Sequence, residues 1–194
     1  MKFLKYALLA STLIFASCSD DDDTPDAVNE EEVITTLTVT LESGSDTVVM
    51  QYQDLDGDGP DAATVTVSGP LSDNTSYNGS IVLLNETESP AENVTEEIEE
   101  EDDEHQFFYT VGAGLDAATE YANFDGDGNP LGTMFVLNTG IPSSGGLTFT
   151  LRHEPNKPNS GLENAGGSTD IEVTFDVTVA VSYTHLTLPT MRLV

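Results

Sequence analysis

The stretch Ile171-Glu172-Val173-Thr174-Phe175-Asp176-Val177 alternates apolar and polar side chains without a break. Successive side chains of a β-strand point to opposite faces of the sheet, so this spacing places every apolar side chain of the stretch on one face. The stretch therefore predicts a strand that buries one face and exposes the other.

Strand patterns of the same kind fill most of the chain. Gly, Pro, Asn and Asp occupy nearly every gap between them, and no long helical period intervenes. Nine short strands predict an all-β fold, an antiparallel β-sandwich or barrel of immunoglobulin-like or related type, formed by a single domain over residues 33–180. The eight further segments are Leu37–Leu41, Val48–Tyr52, Thr64–Val67, Ser80–Leu84, Phe107–Val111, Thr119–Ala122, Thr133–Leu137 and Leu147–Leu151.

One segment has a helical pattern instead. Ser89-Pro90-Ala91-Glu92 matches a capping box with proline at the first helical position. Val94 and Ile98 stand four residues apart and form one narrow apolar stripe. We expect one short acidic helix over about residues 90–102, docked on the sheets through that stripe.

A weak internal repeat spans the strands. Tyr52-x-Asp54-x-Asp56-Gly57-Asp58-Gly59 recurs as Tyr121-x-Asn123-x-Asp125-Gly126-Asp127-Gly128. Similar strands follow both copies, which predicts two related four-strand halves, each covering the apolar face of the other. Independent convergence on the same hairpin turns is the alternative.

The charge of the chain excludes one class of partner. From Cys18 to Val179 the only basic residues are Arg152 and Lys157, against 35 acidic residues, which gives a formal net charge of −33. No cationic surface is available to neutralise phosphates, so we expect no nucleic-acid partner. The same charge attracts cations and favours solubility.

The N-terminus has the features of an export signal. Two lysines precede an apolar run from Tyr6 to Phe15, and Phe15-Ala16-Ser17-Cys18 resembles a bacterial lipobox. Residues 1–17 are therefore predicted to be a lipoprotein signal peptide. Cys18, the only cysteine of the chain, is predicted to be the lipidated residue. An ordinary cleaved signal with an incidental cysteine is the alternative.

An acidic segment follows the cysteine. Ser19-Asp20-Asp21-Asp22-Asp23 resembles the surface-export signal of Bacteroidota lipoproteins, and residues 18–32 as a whole read as an extended acidic tether. We expect the protein to be anchored in the outer membrane through its N-terminal lipid, on the cell surface or, as the alternative, on the periplasmic leaflet.

The C-terminal tail has a different origin. Val181-Ser182-Tyr183-Thr184-His185-Leu186-Thr187-Leu188-Pro189-Thr190 resembles a translated transposase sequencing adapter. Residues 181–194 are therefore predicted to be an artefactual tail that takes no part in the fold.

The repeated aspartate turns are the strongest chemical signal in the sequence. Oxygen ligands at alternate positions around a glycine turn are typical of the first half of an EF-hand loop. The twelfth position of each loop, where a bidentate Glu would complete the site, holds Val65 or Met134. Plain hairpin turns are therefore the main interpretation and weak calcium binding is the alternative. The candidate calcium ligands are Asp54, Asp56, Asp58, Asn123, Asp125 and Asp127.

Two histidines provide a second candidate site. His105 precedes one predicted strand and His153 follows another, each beside acidic residues. If those strand ends lie together, His105, His153 and a nearby carboxylate could hold zinc or copper. Separate, solvated strand ends are the main interpretation, and a transition-metal site is the alternative.

Several segments together resemble a family of small flavobacterial lipoproteins that usually carries the label "type 1 periplasmic binding fold superfamily protein". The label implies two α/β lobes, whereas the strand pattern of this chain predicts an all-β body. No site residue beyond Cys18 follows from the resemblance. The segments are Cys18–Asp23, Leu84–Glu92, Asp103–Tyr109 and Arg152–Lys157.

The functional prediction follows from the anchor and from the motifs. No nucleophile–base signature or phosphate loop stands out, so we predict that the protein is not an enzyme. We expect a non-catalytic, surface-exposed lipoprotein that acts as a binding or accessory protein, with an outer-membrane transporter as a candidate partner. A cation-binding module for calcium or a transition metal is the alternative.

Overall fold

The computed structural model describes residues 32–57 and 59–181. The predictions for the signal peptide, Cys18, most of the tether, Asp58 and residues 182–194 lie outside the described residues. Neither helix of the described part is long and apolar enough to cross a bilayer.

The described residues contain eleven strands and two short helices. All nine predicted strands are present, and the all-β prediction is confirmed. The elements are β1 Thr36–Ser43, β2 Asp46–Gln53, β3 Thr64–Val67, β4 Leu71–Ser72, β5 Ser76–Asn85, β6 Glu92–Asn93, α1 Val94–Glu100, β7 His105–Val111, β8 Ala117–Tyr121, β9 Met134–Thr139, β10 Ser143–His153, α2 Leu162–Ala165 and β11 Ser168–Ala180.

The strands form two sheets. The first has the order β3-β2-β1-β5-β9-β8, with β6 added to β5, and the second has the order β4-β11-β10-β7. All pairings are antiparallel except the short one between β4 and β11. The two-lobed α/β architecture implied by the family label is therefore not what the described residues form.

One apolar core lies between the two sheets. Phe135 of the first sheet contacts Phe149 of the second, with ring centroids 5.6 Å apart, and Phe149 in turn contacts Phe175. Each side chain comes from the buried face of an alternating strand, which is the packing expected of a sandwich. The core includes Leu37, Val39, Leu41, Met50, Tyr77, Ile81, Leu83, Phe107, Phe135, Leu137, Leu147, Phe149, Leu151, Phe175 and Val177.

The helix begins later than the sequence predicts. Glu92 and Asn93 pair with β5 as β6, which holds them extended, so the capping-box prediction at Ser89 to Glu92 is wrong. Helix α1 runs over Val94–Glu100, and the Asn93 side chain binds the Glu96 side chain instead of a helix amide. The predicted stripe is confirmed, because Val94 and Ile98 are both buried. A second helix, α2, has a single turn and was not predicted.

The repeat is reproduced only in part. β2 pairs with β3 around the first turn and β8 pairs with β9 around the second, as the repeat predicts. However, the second half divides between the sheets, because β8 and β9 join the first sheet while β7 and β10 lie in the second. The described residues therefore do not form two halves that cover each other. The turn at Gly112–Gly114 leads from β7 to β8 of the other sheet, and β9 leads back to β10 of the second sheet.

Candidate metal centre

Two histidines lie opposite each other at one end of the second sheet. His105 is the first residue of β7, His153 is the last residue of β10, and the register pairs them directly. Two residues further along, Phe107 pairs with Leu151, and both are core residues. The strand period of two therefore directs both imidazoles to the interior face. Their ring centroids are 4.7 Å apart, and both histidines are buried, so the interpretation of separate, solvated strand ends is wrong.

A β-bulge in β11 adds a carboxylate to this pair. Leu151 pairs with Ile171, whereas Arg152 pairs with Thr169, so Asp170 is the extra residue of the bulge. Bulges redirect the side chains that they carry, and here the Asp170 side chain is completely buried. Its Oδ1 lies 4.0 Å from Nδ1 of His153.

A second carboxylate comes from the segment that precedes β1. Glu32 Oε1 lies 2.9 Å from Nε2 of His105, and Glu32 Oε2 lies 3.5 Å from Nδ1 of His153. The segment is held in place by Thr35, whose backbone N–H donates to the Leu84 carbonyl at 2.9 Å. Glu32 thus packs on the body, although the sequence assigned it to the tether.

The imidazole of His105 is oriented by a backbone contact. Its Nδ1 lies 3.2 Å from the carbonyl oxygen of Glu101, just after α1. A carbonyl oxygen only accepts hydrogen bonds, so Nδ1 carries a hydrogen, and Nε2 is the nitrogen directed at Oε1 of Glu32. Histidine ligands of metals are commonly oriented by such a contact to a backbone carbonyl.

Two buried polar atoms that lie close together in the cluster make no hydrogen bond with the described residues. They are Oε2 of Glu32 and Nδ1 of His153, whose side chains are 5% and 7% exposed. A buried polar atom that makes no hydrogen bond costs on the order of 1–3 kcal/mol. These two atoms face each other across 3.5 Å, and a cation between them would satisfy both.

The surroundings of the cluster are rich in carboxylates. Desolvation raises the pKa of Glu97 on α1, and the charges of Glu32 and Glu101 raise it further. Burial is the larger cause of this shift, and the neighbouring carboxylates add to it.

The cluster could hold a metal ion. One ligand atom each from Glu32, His105, His153 and Asp170 lies within 4.8 Å of the others. A second group, formed by Glu104, His153 and Glu154, meets the same criterion but has two exposed carboxylates. We refer to the first four residues as the histidine–carboxylate cluster.

The first aspartate loop uses its carboxylates to shape the turn. Asp54 Oδ1 accepts a hydrogen bond from the Gly57 backbone N–H at 3.0 Å, and Asp56 Oδ2 accepts one from Asp61 at 3.2 Å. These contacts are typical of turn-forming aspartates.

The second loop is arranged in the same way and also binds a lysine. Asn123 Oδ1 accepts two backbone N–H groups, and Asp125 Oδ1 accepts those of Asp127 and Asn129. The Lys157 ammonium lies 3.3 Å from Oδ2 of Asp125. Among the described residues, neither loop contributes to a group of side chains that could hold a metal.

The sequence thus identified two of the four residues in the cluster. The condition set for His105 and His153, that their strand ends lie together, is met by the register of β7 and β10. Glu32 and Asp170 were missed, because nothing in the sequence marks the bulge or the packing of Glu32. No family model, curated protein or solved structure matches the chain.

Proposed function

We propose that this protein is a non-catalytic, lipid-anchored lipoprotein of the outer membrane that binds a divalent cation on the cell surface. The observation that supports cation binding is the convergence of two imidazoles and two carboxylates, with two of their buried atoms lacking hydrogen-bond partners. Buried charged groups in proteins are generally paired or coordinate a metal.

The position of the cluster fits a tethered binding protein. Glu32 lies in the segment that connects the predicted tether to β1. We propose that Cys18 anchors this tether and that the protein belongs to the flavobacterial lipoprotein family that its sequence resembles.

Metal analysis of the purified chain tests the binding function. After removal of metals with a chelator and dialysis against one divalent cation at a time, wild type should retain one equivalent of at least one cation. His105→Gln/His153→Gln should retain none, whereas Asp54→Asn/Asp56→Asn, the matched control in a turn, should bind as wild type does. Equal retention by all three proteins would overturn the proposal.

Cell fractionation tests the anchor separately. Cys18→Ala should release the protein from the membrane fraction, and replacing Asp20 to Asp23 with Ala and Gln should remove its accessibility to protease on whole cells. Membrane retention of Cys18→Ala, with no acyl mass on the wild-type N-terminus, would refute lipid anchoring.

A further inference from the structure

The donor atoms of the histidine–carboxylate cluster select among divalent cations. Calcium takes six to eight oxygen ligands, and magnesium retains water in an octahedral shell of oxygens. The cluster supplies two imidazole nitrogens and two carboxylates, a mixed nitrogen and oxygen set that suits zinc.

The spacing of the cluster suits tetrahedral coordination. Zinc bonds of about 2.0–2.2 Å imply neighbouring ligand atoms about 3.4 Å apart. The separations here are 2.9 Å from Glu32 Oε1 to His105 Nε2, 3.5 Å from Glu32 Oε2 to His153 Nδ1 and 4.0 Å from His153 Nδ1 to Asp170 Oδ1. These values lie on both sides of the tetrahedral distance, and one ligand atom from each of the four residues lies within 4.8 Å of the others.

Charge and burial also fit a closed site. Two carboxylates balance one dication, so the occupied cluster would be neutral, as a buried site requires. All four side chains are at most 7% exposed. Four protein ligands fill a tetrahedral shell and leave no position for a substrate, which is typical of structural zinc sites.

The ligands come from the second sheet and from the segment that precedes β1 of the first. His105, His153 and Asp170 belong to β7, β10 and β11 of the second sheet, whereas Glu32 leads into β1 of the first. We propose, on the basis of the cation-binding function proposed above, that the cluster is a closed tetrahedral zinc site. The zinc joins the segment before β1 to the end of the second sheet.

Cobalt substitution in the full chain tests this assignment. Cobalt(II) bound to the metal-stripped protein should give the intense visible bands typical of tetrahedral coordination, and one equivalent of zinc should abolish them. A thousandfold excess of calcium or magnesium should leave the cobalt bands unchanged. Glu32→Gln and Asp170→Asn should each weaken zinc binding by about tenfold or more. Asp176→Asn, which removes an exposed carboxylate from the same strand as Asp170, is the matched control and should bind as wild type.

The outcomes separate this inference from the proposed function. A weak octahedral cobalt spectrum, or displacement of cobalt by calcium as readily as by zinc, would overturn the zinc assignment but leave divalent-cation binding intact. Failure of wild type to bind zinc, cobalt, calcium or magnesium would overturn both. The competition uses the unmodified chain, so the assignment remains testable even if a variant does not fold.

Discussion

His105 and His153 face each other across the register of β7 and β10, with their ring centroids 4.7 Å apart. The pair continues the core row of Phe107 and Leu151, so an otherwise apolar interior ends in two imidazoles. Asp170 approaches these rings from β11, and Glu32 approaches them from the segment before β1. This arrangement is the basis of the proposed function.

The aspartate turns should show no preference for calcium. Added cations screen the repulsion between the negative charges of the protein. Calcium and magnesium salts at equal ionic strength should therefore raise its melting temperature by the same amount. The carboxylates of Asp54 and Asp56 already accept backbone hydrogen bonds, so neither is expected to add a specific contribution. Differential scanning calorimetry measures the melting temperature in each salt. A calcium-specific rise in wild type that is lost in Asp56→Asn would show that the first loop binds calcium.

Lys157 should stabilise the protein through Asp125. Its ammonium group lies 3.3 Å from the Asp125 carboxylate, and the two side chains are 6% and 1% exposed. Lys157→Met removes the cation beside this carboxylate but leaves its hydrogen bonds from Asp127 and Asn129, so the free energy of unfolding should fall by about 1–3 kcal/mol. Urea denaturation measures the loss. Lys157→Met/Asp125→Asn should recover part of it, and a double variant as unstable as the sum of the single variants would contradict the pairing.

The same carboxylate should contribute to acid sensitivity. Burial alone would raise the pKa of Asp125, but hydrogen bonds from Asn129 and the Lys157 ammonium lower it below its ordinary value. A lowered pKa in the folded state stabilises the protein above the unfolded-state pKa of about 3.9, and this contribution is lost as the pH falls through the folded-state value. Asp125→Asn should therefore flatten the acid limb of stability against pH in urea titrations. Identical acid limbs in both proteins would contradict this.

The packing between β5 and β9 should tolerate no side chain at Gly79. A Cβ atom added there would lie 2.4 Å from Cζ of Phe135, a core residue. Gly79→Ala should lower the free energy of unfolding by about 1–3 kcal/mol through overpacking. At Gly69 an added Cβ would meet nothing within 4 Å, so Gly69→Ala is the matched control and should change stability little. Equal effects of the two substitutions would contradict the packing described for Phe135.

The strands could be predicted from the sequence because alternation is a local property. Each predicted strand, such as Leu37–Leu41, carries its own period-two pattern, and all of these segments form strands in the structure. The start of α1 could not be predicted in this way. It depends on the pairing of Glu92 and Asn93 with β5, which is a contact between segments.

The cluster was half predictable for the same reason. His105 and His153 stand at the ends of recognisable strands, so only the register between β7 and β10 was needed to bring them together. Asp170 reaches the site through a bulge that interrupts the alternation of β11. Glu32 follows a run of acidic residues that resembles a solvated tether. Both contributions depend on tertiary contacts that leave no mark in the local sequence.

Anomalous diffraction from zinc-loaded crystals of the full chain tests the central claim most directly. Data collected above and below the zinc absorption edge should show one strong anomalous peak per chain, within bonding distance of Nε2 of His105 and Nδ1 of His153 and in contact with the carboxylates of Glu32 and Asp170. The absence of a peak between the two imidazoles, or a principal peak in one of the aspartate loops, would contradict the account.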